Sequence, residues 1–305
     1  MEFSVPQPER CLELTMADGA VVRARRHGNL DRPRLVLSHG NGFAIDGYYP
    51  FWRLLLADFE VVVYDQRNHG QNPRHDASAH SIESFVLDME RVRLGIRATF
   101  GTKPTAALVH SVSAITALFH AARYGLQWDA LILFDPPIGP GDGHPLQALA
   151  RGFELYLADW SRARPRRFKD PGELAEHFGR ARGLRRLIPG AAALMARAVT
   201  RPAADGGFEL ACPPGCESAI YAQNAYSTVW QTLPALSGNL FVVSSDPDAE
   251  DAKSPAKVCA LLPALFGFRQ AAVADTSHLM QIERPVECAR AAREFLRAAR
   301  FGEGR

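Results

Sequence analysis

The sequence predicts an α/β fold: a mostly parallel sheet covered by helices on both faces, interrupted by a helix-rich insert. Three observations predict it. Short apolar runs alternate with helix-spaced segments through the first half of the chain. Several runs, such as FEVVVY at 59–64, are continuously apolar and β-branched, as strands covered on both faces require. The alternation stops after residue 137 and returns at residue 240.

Residues 11–16 and 21–25 flank Asp18-Gly19, which reads as a hairpin turn and adds an antiparallel edge. Residues 35–37 form a short buried strand that ends at Ser38-His39-Gly40, and 48–57 have helical spacing. Residues 59–64 are a central strand and 81–100 a long amphipathic helix. A strand at 105–109, a helix at 113–124 and a strand at 130–134 follow, closed by Asp135-Pro136-Pro137. Between 138 and 237 no buried strand is expected, only helices near 145–159, 172–182 and 191–199. Strands at 240–243 and 270–273 and a helix at 285–299 complete the pattern. The expected organisation is a core at 1–137 and 238–305 with a helical cap or lid at 138–237, over the edge where open α/β sheets bind ligands. No internal repeat is found.

Composition bounds the function. The chain has 305 residues, 47% apolar and 22% charged, an ordinary globular balance with enough apolar material for a large core. A net charge of +2 gives no global signal for nucleic acid. The first residues, MEFSVPQPER, lack the features of a signal peptide, and no run reaches the ~18 apolar residues of a membrane span. The expected location is the cytoplasm. The five cysteines (Cys11, Cys212, Cys216, Cys259, Cys288) are odd in number and scattered, a poor disulfide framework, and Cys212 and Cys216 lack partners for a zinc site. Between Trp160 and Arg201 eleven basic residues face three acidic ones, a local excess of eight that reads as a solvated helical face or as attraction for anions.

Four segments carry chemistry. In Leu108-Val109-His110-Ser111-Val112-Ser113-Ala114 a strand meets a helix, and a serine on that turn has its hydroxyl forced into the open. Ser111 is the expected nucleophile. Ser113 is the alternative two residues on, and a helix cap is the structural reading of Ser111. The pattern departs from G-x-S-x-G, with Val109 and Ser113 at the small positions.

Ser38-His39-Gly40-Asn41-Gly42-Phe43 is a glycine-rich loop after a strand. It would offer the Asn41 N–H, with that of Val112, as oxyanion donors. A serine hydroxyl needs a histidine base oriented by a carboxylate. His278, in the loop between the last strand and the last helix, fits the base. Asp248, after the strand at 240–243, is the expected orienting acid, with Asp135 and Asp246 as competitors. Asp135, before two prolines, reads as a strand terminator. His39, His110 and the segment Asp65-Gln66-Arg67-Asn68-His69-Gly70 read as supports for loop geometry.

HGNGF at 39–43, DQRNHG at 65–70, HSVSA at 110–114 and HLMQIERP at 278–285 together resemble the α/β-hydrolase superfamily. DQRNHG is similar to that family's D-x-R-G-H-G, with Asn68 in place of glycine, and the last segment to its H-x-x-x-x-E-x-P. The resemblance covers 35–137 and 240–295 but not the insert. It implies a sheet of about eight strands, a helical cap between the sixth and seventh, and chemistry without metal or cofactor. An aspartate-nucleophile mechanism does not fit, because the elbow carries Ser111.

The expected activity is hydrolysis of a small or medium carboxylic ester. Phe43, Tyr48, Tyr49, Phe51, Trp52 and Trp160 are candidates to line an apolar acyl pocket, with core packing as the plainer reading. A lactone, thioester or C–C bond in an anionic substrate is the second reading. A non-catalytic ligand-binding protein is the third. The expected partner is a small molecule, with no nucleic acid and no membrane span. The sequence leaves the oligomeric state open.

Overall fold

The computed structural model describes residues 2–303. The chain opens with β1 (Arg10–Thr15) and β2 (Val21–Gly28), the expected hairpin. β3 (Arg34–Ser38), a single turn of helix α1 (Tyr49–Trp52), β4 (Glu60–Tyr64) and the long α2 (Ile82–Phe100) follow. Then come β5 (Thr105–His110), α3 (Val112–Tyr124) and β6 (Ala130–Phe134). The insert contains α4 (Gln147–Ala163), β7 (Arg167–Phe168), α5 (Pro171–Arg180), α6 (Ala191–Val199), β8 (Thr200–Pro202), β9 (Phe208–Leu210), α7 (Pro214–Asn224) and α8 (Val229–Thr232). The chain ends with β10 (Leu240–Ser244), α9 (Ser254–Cys259), α10 (Leu262–Phe266), β11 (Arg269–Ala272), α11 (Met280–Glu283) and α12 (Pro285–Ala298).

Eight strands form one sheet in the order β1-β2-β4-β3-β5-β6-β10-β11. β2 runs antiparallel to both β1 and β4, and the remaining neighbours are parallel. The continuous apolar runs now have a physical cause. Leu35, Leu37, Val61, Val63, Leu108, Ile132 and Phe134 enter the core on one face, with α1, α12 and part of the insert. Val36, Val62, Val109, Leu131 and Leu133 enter the core on the other, with α2 and α3. The middle of such a strand is buried on both faces, so a polar side chain is tolerated there only with a partner. Each buried Val, Leu or Ile contributes ~1.5–3 kcal/mol.

From β3 the chain passes to β4 on one side of the sheet, and β5 then lies on the other side of β3. The loops after β3 and β5 therefore leave the sheet side by side at a switch point, where a crevice opens in such sheets.

Two expectations fail locally. The insert is not purely helical: β7, β9 and β8 make a small antiparallel sheet. Strands of two or three residues carry no readable periodicity. The helix expected over 48–57 is the single α1 turn flanked by tighter 3-10 turns. The insert rests on the C-terminal edge of the sheet. The Asn41 amide donates to the Glu217 carbonyl (2.9 Å), and the Asn224 amide donates to the Pro137 carbonyl (2.9 Å).

Candidate active site

Ser111 stands between β5 and α3 with φ +54° and ψ −117°. A non-glycine residue held at positive φ costs of order 1–3 kcal/mol and persists only where its surroundings fix it. Here Ser111 N donates to the Phe134 carbonyl (3.0 Å), while Ala114 N and Ile115 N donate to the Ser111 carbonyl. The turn is crowded: a Cβ on Gly40 would lie 3.1 Å from Ser111 Cβ and 2.9 Å from His110 Nδ1. That contact explains glycine at position 40. The Ser111 side chain makes no helix cap. Its Oγ lies 2.9 Å from His278 Nε2.

Ser113 is fully buried and committed elsewhere. Its hydroxyl donates to the His39 carbonyl and accepts from Gln66 Nε2 (3.0 Å). It ties the loop after β3 to the one after β4. Val109, the other departure from the small-residue pattern, points into the apolar core.

The carboxylate facing His278 is Asp135, not Asp248. Asp135 Oδ2 accepts from His278 Nδ1 at 2.7 Å. The Asp135 carboxylate is fully buried and also accepts from the Ser245 N–H (3.0 Å) and the Ser245 hydroxyl (3.0 and 3.1 Å). Asp248 is exposed in the turn after β10, where its N–H donates to Asp246 Oδ1 (2.9 Å). Asp246 in turn accepts from the Asp275 N–H (2.9 Å), which pins the start of the loop that carries His278. β6 and β10 are neighbours, so acids after either strand lie near one another. Ser245 decides between them, because its two donors turn toward Asp135.

Two backbone N–H groups border Ser111. Those of Asn41 and Val112 find no acceptor among the described residues. Val112 opens α3, where the first amides have no partner within the helix.

The supports around this centre are neutral histidines. The Gly40 N–H donates to Tyr48 Oη (3.3 Å), which donates to His110 Nδ1 (2.8 Å), and His110 Nε2–H donates to the His278 carbonyl (2.8 Å). Burial holds the His110 pKa well below the ordinary histidine range. His39 donates through Nδ1 to the Gly40 carbonyl (2.8 Å) and accepts from the Gln66 N–H (3.0 Å), and burial lowers it to about 4. His69 donates to the Arg67 carbonyl (2.9 Å), accepts from the Gly42 N–H (3.1 Å), and is lowered by burial to about 3. Arg67 clamps Asp88 at 2.6 and 2.7 Å. Asn68 has φ +62°, so it occupies the left-handed region that asparagine tolerates better than most residues.

Most of the aromatic side chains expected around a pocket are structural. Trp52 and Phe51 are fully buried in the core, and the Trp52 indole donates to the Ile45 carbonyl (3.0 Å). Tyr49 packs edge-on against Trp52. Tyr48 is buried and acts through its hydroxyl, as above. Trp160 is 48% exposed on α4 beside Arg164. Phe43, on the loop after β3, is half-buried against the core. Sequence cannot separate a core aromatic from a pocket one when both lie on the same turn.

The underside of the insert supplies residues that the sequence did not single out. Glu217 lies over Gly42 and pairs with Arg164 (3.2 Å). Glu154, on α4, is 6% exposed, and burial raises its pKa to about 7. The basic excess of the insert is compensated in part. Arg164, Arg166, Arg167, Arg180, Arg185 and Arg186 each face a carboxylate. The side chain of Arg182, also counted in that excess, lies outside the described residues.

One cluster has metal-ligand chemistry: His69, His80 and Cys212, all buried, bring one ligand atom each within 4.8 Å of one another. Both ring nitrogens of His69 are already engaged, and the Arg164 and Arg201 charges bear on it. His69 is thus committed to hydrogen bonds, while His80 bonds the Asn68 amide through Nδ1 (3.2 Å) and leaves Nε2 buried without a partner among the described residues. No described helix is long and apolar enough to cross a membrane.

Comparison with known proteins gives the family and the fold. A sequence profile of the alpha/beta hydrolase family matches residues 35–291. The chain is 26% identical over 181 residues to a putative carbamate hydrolase, RutD, of Stutzerimonas stutzeri (strain A1501), covering 53% of this chain and 67% of that protein. It is 27% identical over 175 residues to the RutD of Escherichia coli O6:H1, covering 52% and 62%. The match thus spans about two thirds or less of the length of these curated relatives. Among solved structures, E-2-(acetamidomethylene)succinate hydrolase superposes with TM-score 0.74 at 17% identity, covering 94% of this chain and 99% of that one. A thermophilic esterase of Thermogutta terrifontis superposes with TM-score 0.69 at 20% identity, covering 95% and 99%. At those identities the superpositions speak for the fold, and the profile for the lineage: this chain belongs to the alpha/beta hydrolase family.

Proposed function

We propose that this hydrolase cleaves a small or medium carboxylic ester through an acyl-enzyme, with Ser111 as nucleophile, His278 as base and Asp135 as the orienting acid. The observation that carries the reading is the continuous hydrogen-bonded line from Ser111 Oγ through the His278 ring to Asp135 Oδ2, at 2.9 and 2.7 Å. Ser111 Oγ attacks the carbonyl while His278 Nε2 takes its proton and then gives it to the leaving alcohol. Asp135 fixes the Nδ1–H tautomer and stabilises the imidazolium that forms. The Asn41 and Val112 N–H groups receive the oxyanion, a contribution of ~3 kcal/mol for each such donor. Water activated by His278 then releases the acid. The insert acts as a cap over this centre, with α7 held to the Asn41 loop.

A carbamate, the compound class in the names of two relatives, presents the same trigonal carbonyl and belongs in the same substrate screen. Attraction of an anionic substrate by the insert has less support than the residue count suggested, because those arginines face carboxylates.

The test is covalent labelling with a fluorophosphonate, located by peptide mass spectrometry, alongside ester turnover. Label on Ser111, lost in Ser111→Ala, is expected. Asp135→Asn should lower kcat by about 10⁴-fold, while Asp248→Asn stays close to wild type. The reverse ranking of the two aspartates would sink this assignment.

A further inference from the structure

A cavity of about 160 Å³ opens between the insert and the core, its wall starting two residues beyond Asp135. Its wall includes Pro137 and Ile138 after β6, Arg151 and Glu154 on α4, and Asn224 and Ser227 around the end of α7. Glu154 has no cationic partner among the described residues. The Asn224 amide hydrogen-bonds to its carboxyl, and the His278 charge bears on it. Asn224 is 4% exposed, and its Nδ2 donates to the Pro137 carbonyl, two residues beyond Asp135, as well as bearing on Glu154. Its Oδ1 is buried with no donor. Arg151, in the same wall, is held away by Tyr226 and by the Ala225 carbonyl.

We propose that Glu154 and Asn224 form a polar subsite that takes a hydrogen-bond-donating group, a hydroxyl or amide N–H, on an arm of the substrate. The inference rests on the reading of Ser111 as nucleophile and narrows its substrate class from plain alkyl esters to esters with such an arm. Asn224 Oδ1 presents an acceptor, and the Glu154 carboxyl accepts through its carbonyl oxygen whether or not it is protonated, so a donor brought by the substrate is selected over a methyl group. Charged arms fit less well. An ammonium meets Arg151 in the same wall, and a carboxylate meets Glu154. Glu154 lines the cavity, and the His278 charge bears on it, so the arm is read next to the centre that cleaves the ester.

The test uses two series of fluorophosphonates with arms of increasing length, one ending in methyl and the other in hydroxyl, with the rate of labelling at Ser111 as readout. At one arm length the hydroxyl probe should react about ten-fold faster than its methyl partner, the preference one net hydrogen bond supplies. That ratio should collapse toward one in Glu154→Leu and in Asn224→Leu, and persist in Glu154→Gln, which keeps an acceptor. Equal rates at every length in the wild-type protein, or a preference that survives Glu154→Leu, would overturn the subsite while leaving the triad standing. Failure of every probe to label Ser111 would overturn the triad and the subsite with it.

Discussion

Replacing Glu154 by glutamine isolates the energetic consequence of a carboxyl buried without a cation. Burial raises its pKa from 4.5 to about 7, against a smaller lowering by the Asn224 amide and by His278. Below pH 4.5 the carboxyl is protonated in both folded and unfolded chains and contributes nothing. Between 4.5 and about 7 the unfolded chain releases this proton while the folded one keeps it. Stability therefore falls as pH rises through that window, and above it levels off at a cost of about 3 kcal/mol. Glutamine has no such proton. Urea unfolding of wild type and Glu154→Gln at pH 4.5 and pH 8 gives two stability differences. The variant should gain about 3 kcal/mol relative to wild type between the two pH values. Changes in hydrogen bonding to Asn224 that do not depend on pH cancel in this comparison, and equal m-values would show that the unfolded states match. A difference that is the same at both pH values would refute the reasoning, because Glu154 would then ionise as freely in the folded chain as in the unfolded one.

Acidification should destabilise the protein for the opposite reason. His39, His69 and His80 are lowered by burial to about 4, about 3 and about 2, so below their ordinary 6.5 the unfolded chain takes protons that the folded one refuses. Each contributes a loss of up to ~1.4 kcal/mol per pH unit. They are joined by His27, His110 and His120, which burial also lowers, and opposed by Glu154, Asp46, Asp88, Glu217 and Glu283, which burial raises; the histidines outnumber the carboxyls. Urea midpoints that stay flat from pH 6.5 to 4.5 would contradict this. At the other end of the sheet, Arg34 and Glu60 form a pair at 2.6 Å, each 1% exposed, with Lys103 also on Glu60 at 2.6 Å. Arg34→Met should cost ~3–5 kcal/mol in urea unfolding by stranding Glu60, and the double variant Arg34→Met/Glu60→Leu should recover much of it. A single-variant cost below ~1 kcal/mol would mean that Lys103 alone suffices.

The core strands were legible because burial on both faces leaves a continuous apolar run, as in EVVVY of β4 and ALILF of β6. The elbow was legible as a strand-to-helix junction despite Val109, since what the turn demands is space around Ser111, and Gly40 from another loop supplies it. The orienting acid was not legible. Asp135 and Asp248 both lie between Ser111 and His278 in the chain, so order cannot rank them, and the Ser245 donors that bind Asp135 are a tertiary fact. Two prolines after Asp135 suggested a strand terminator, yet a residue at the end of a strand with φ +43° is well placed to turn a carboxylate toward a neighbouring loop. The insert was hardest to read. Strands of two or three residues leave no pattern, and the inward side of α4 looks like any amphipathic helix until Glu154 is seen to face the core.

The bond from the Asn41 amide to the Glu217 carbonyl bears on how far this protein can be re-engineered by exchanging parts. The acceptor is main chain, so the first turn of α7 has to arrive at that spot whatever its side chains are. A transplanted insert of similar length and composition that entered a few ångströms away would leave the Asn41 side chain without its tether, and the loop bearing the Asn41 N–H would lose one of its fixings. Selectivity is therefore more readily altered by substitutions along α4 and the end of α7 than by wholesale replacement of the insert. The seam between the two parts runs through the loop that carries Asn41.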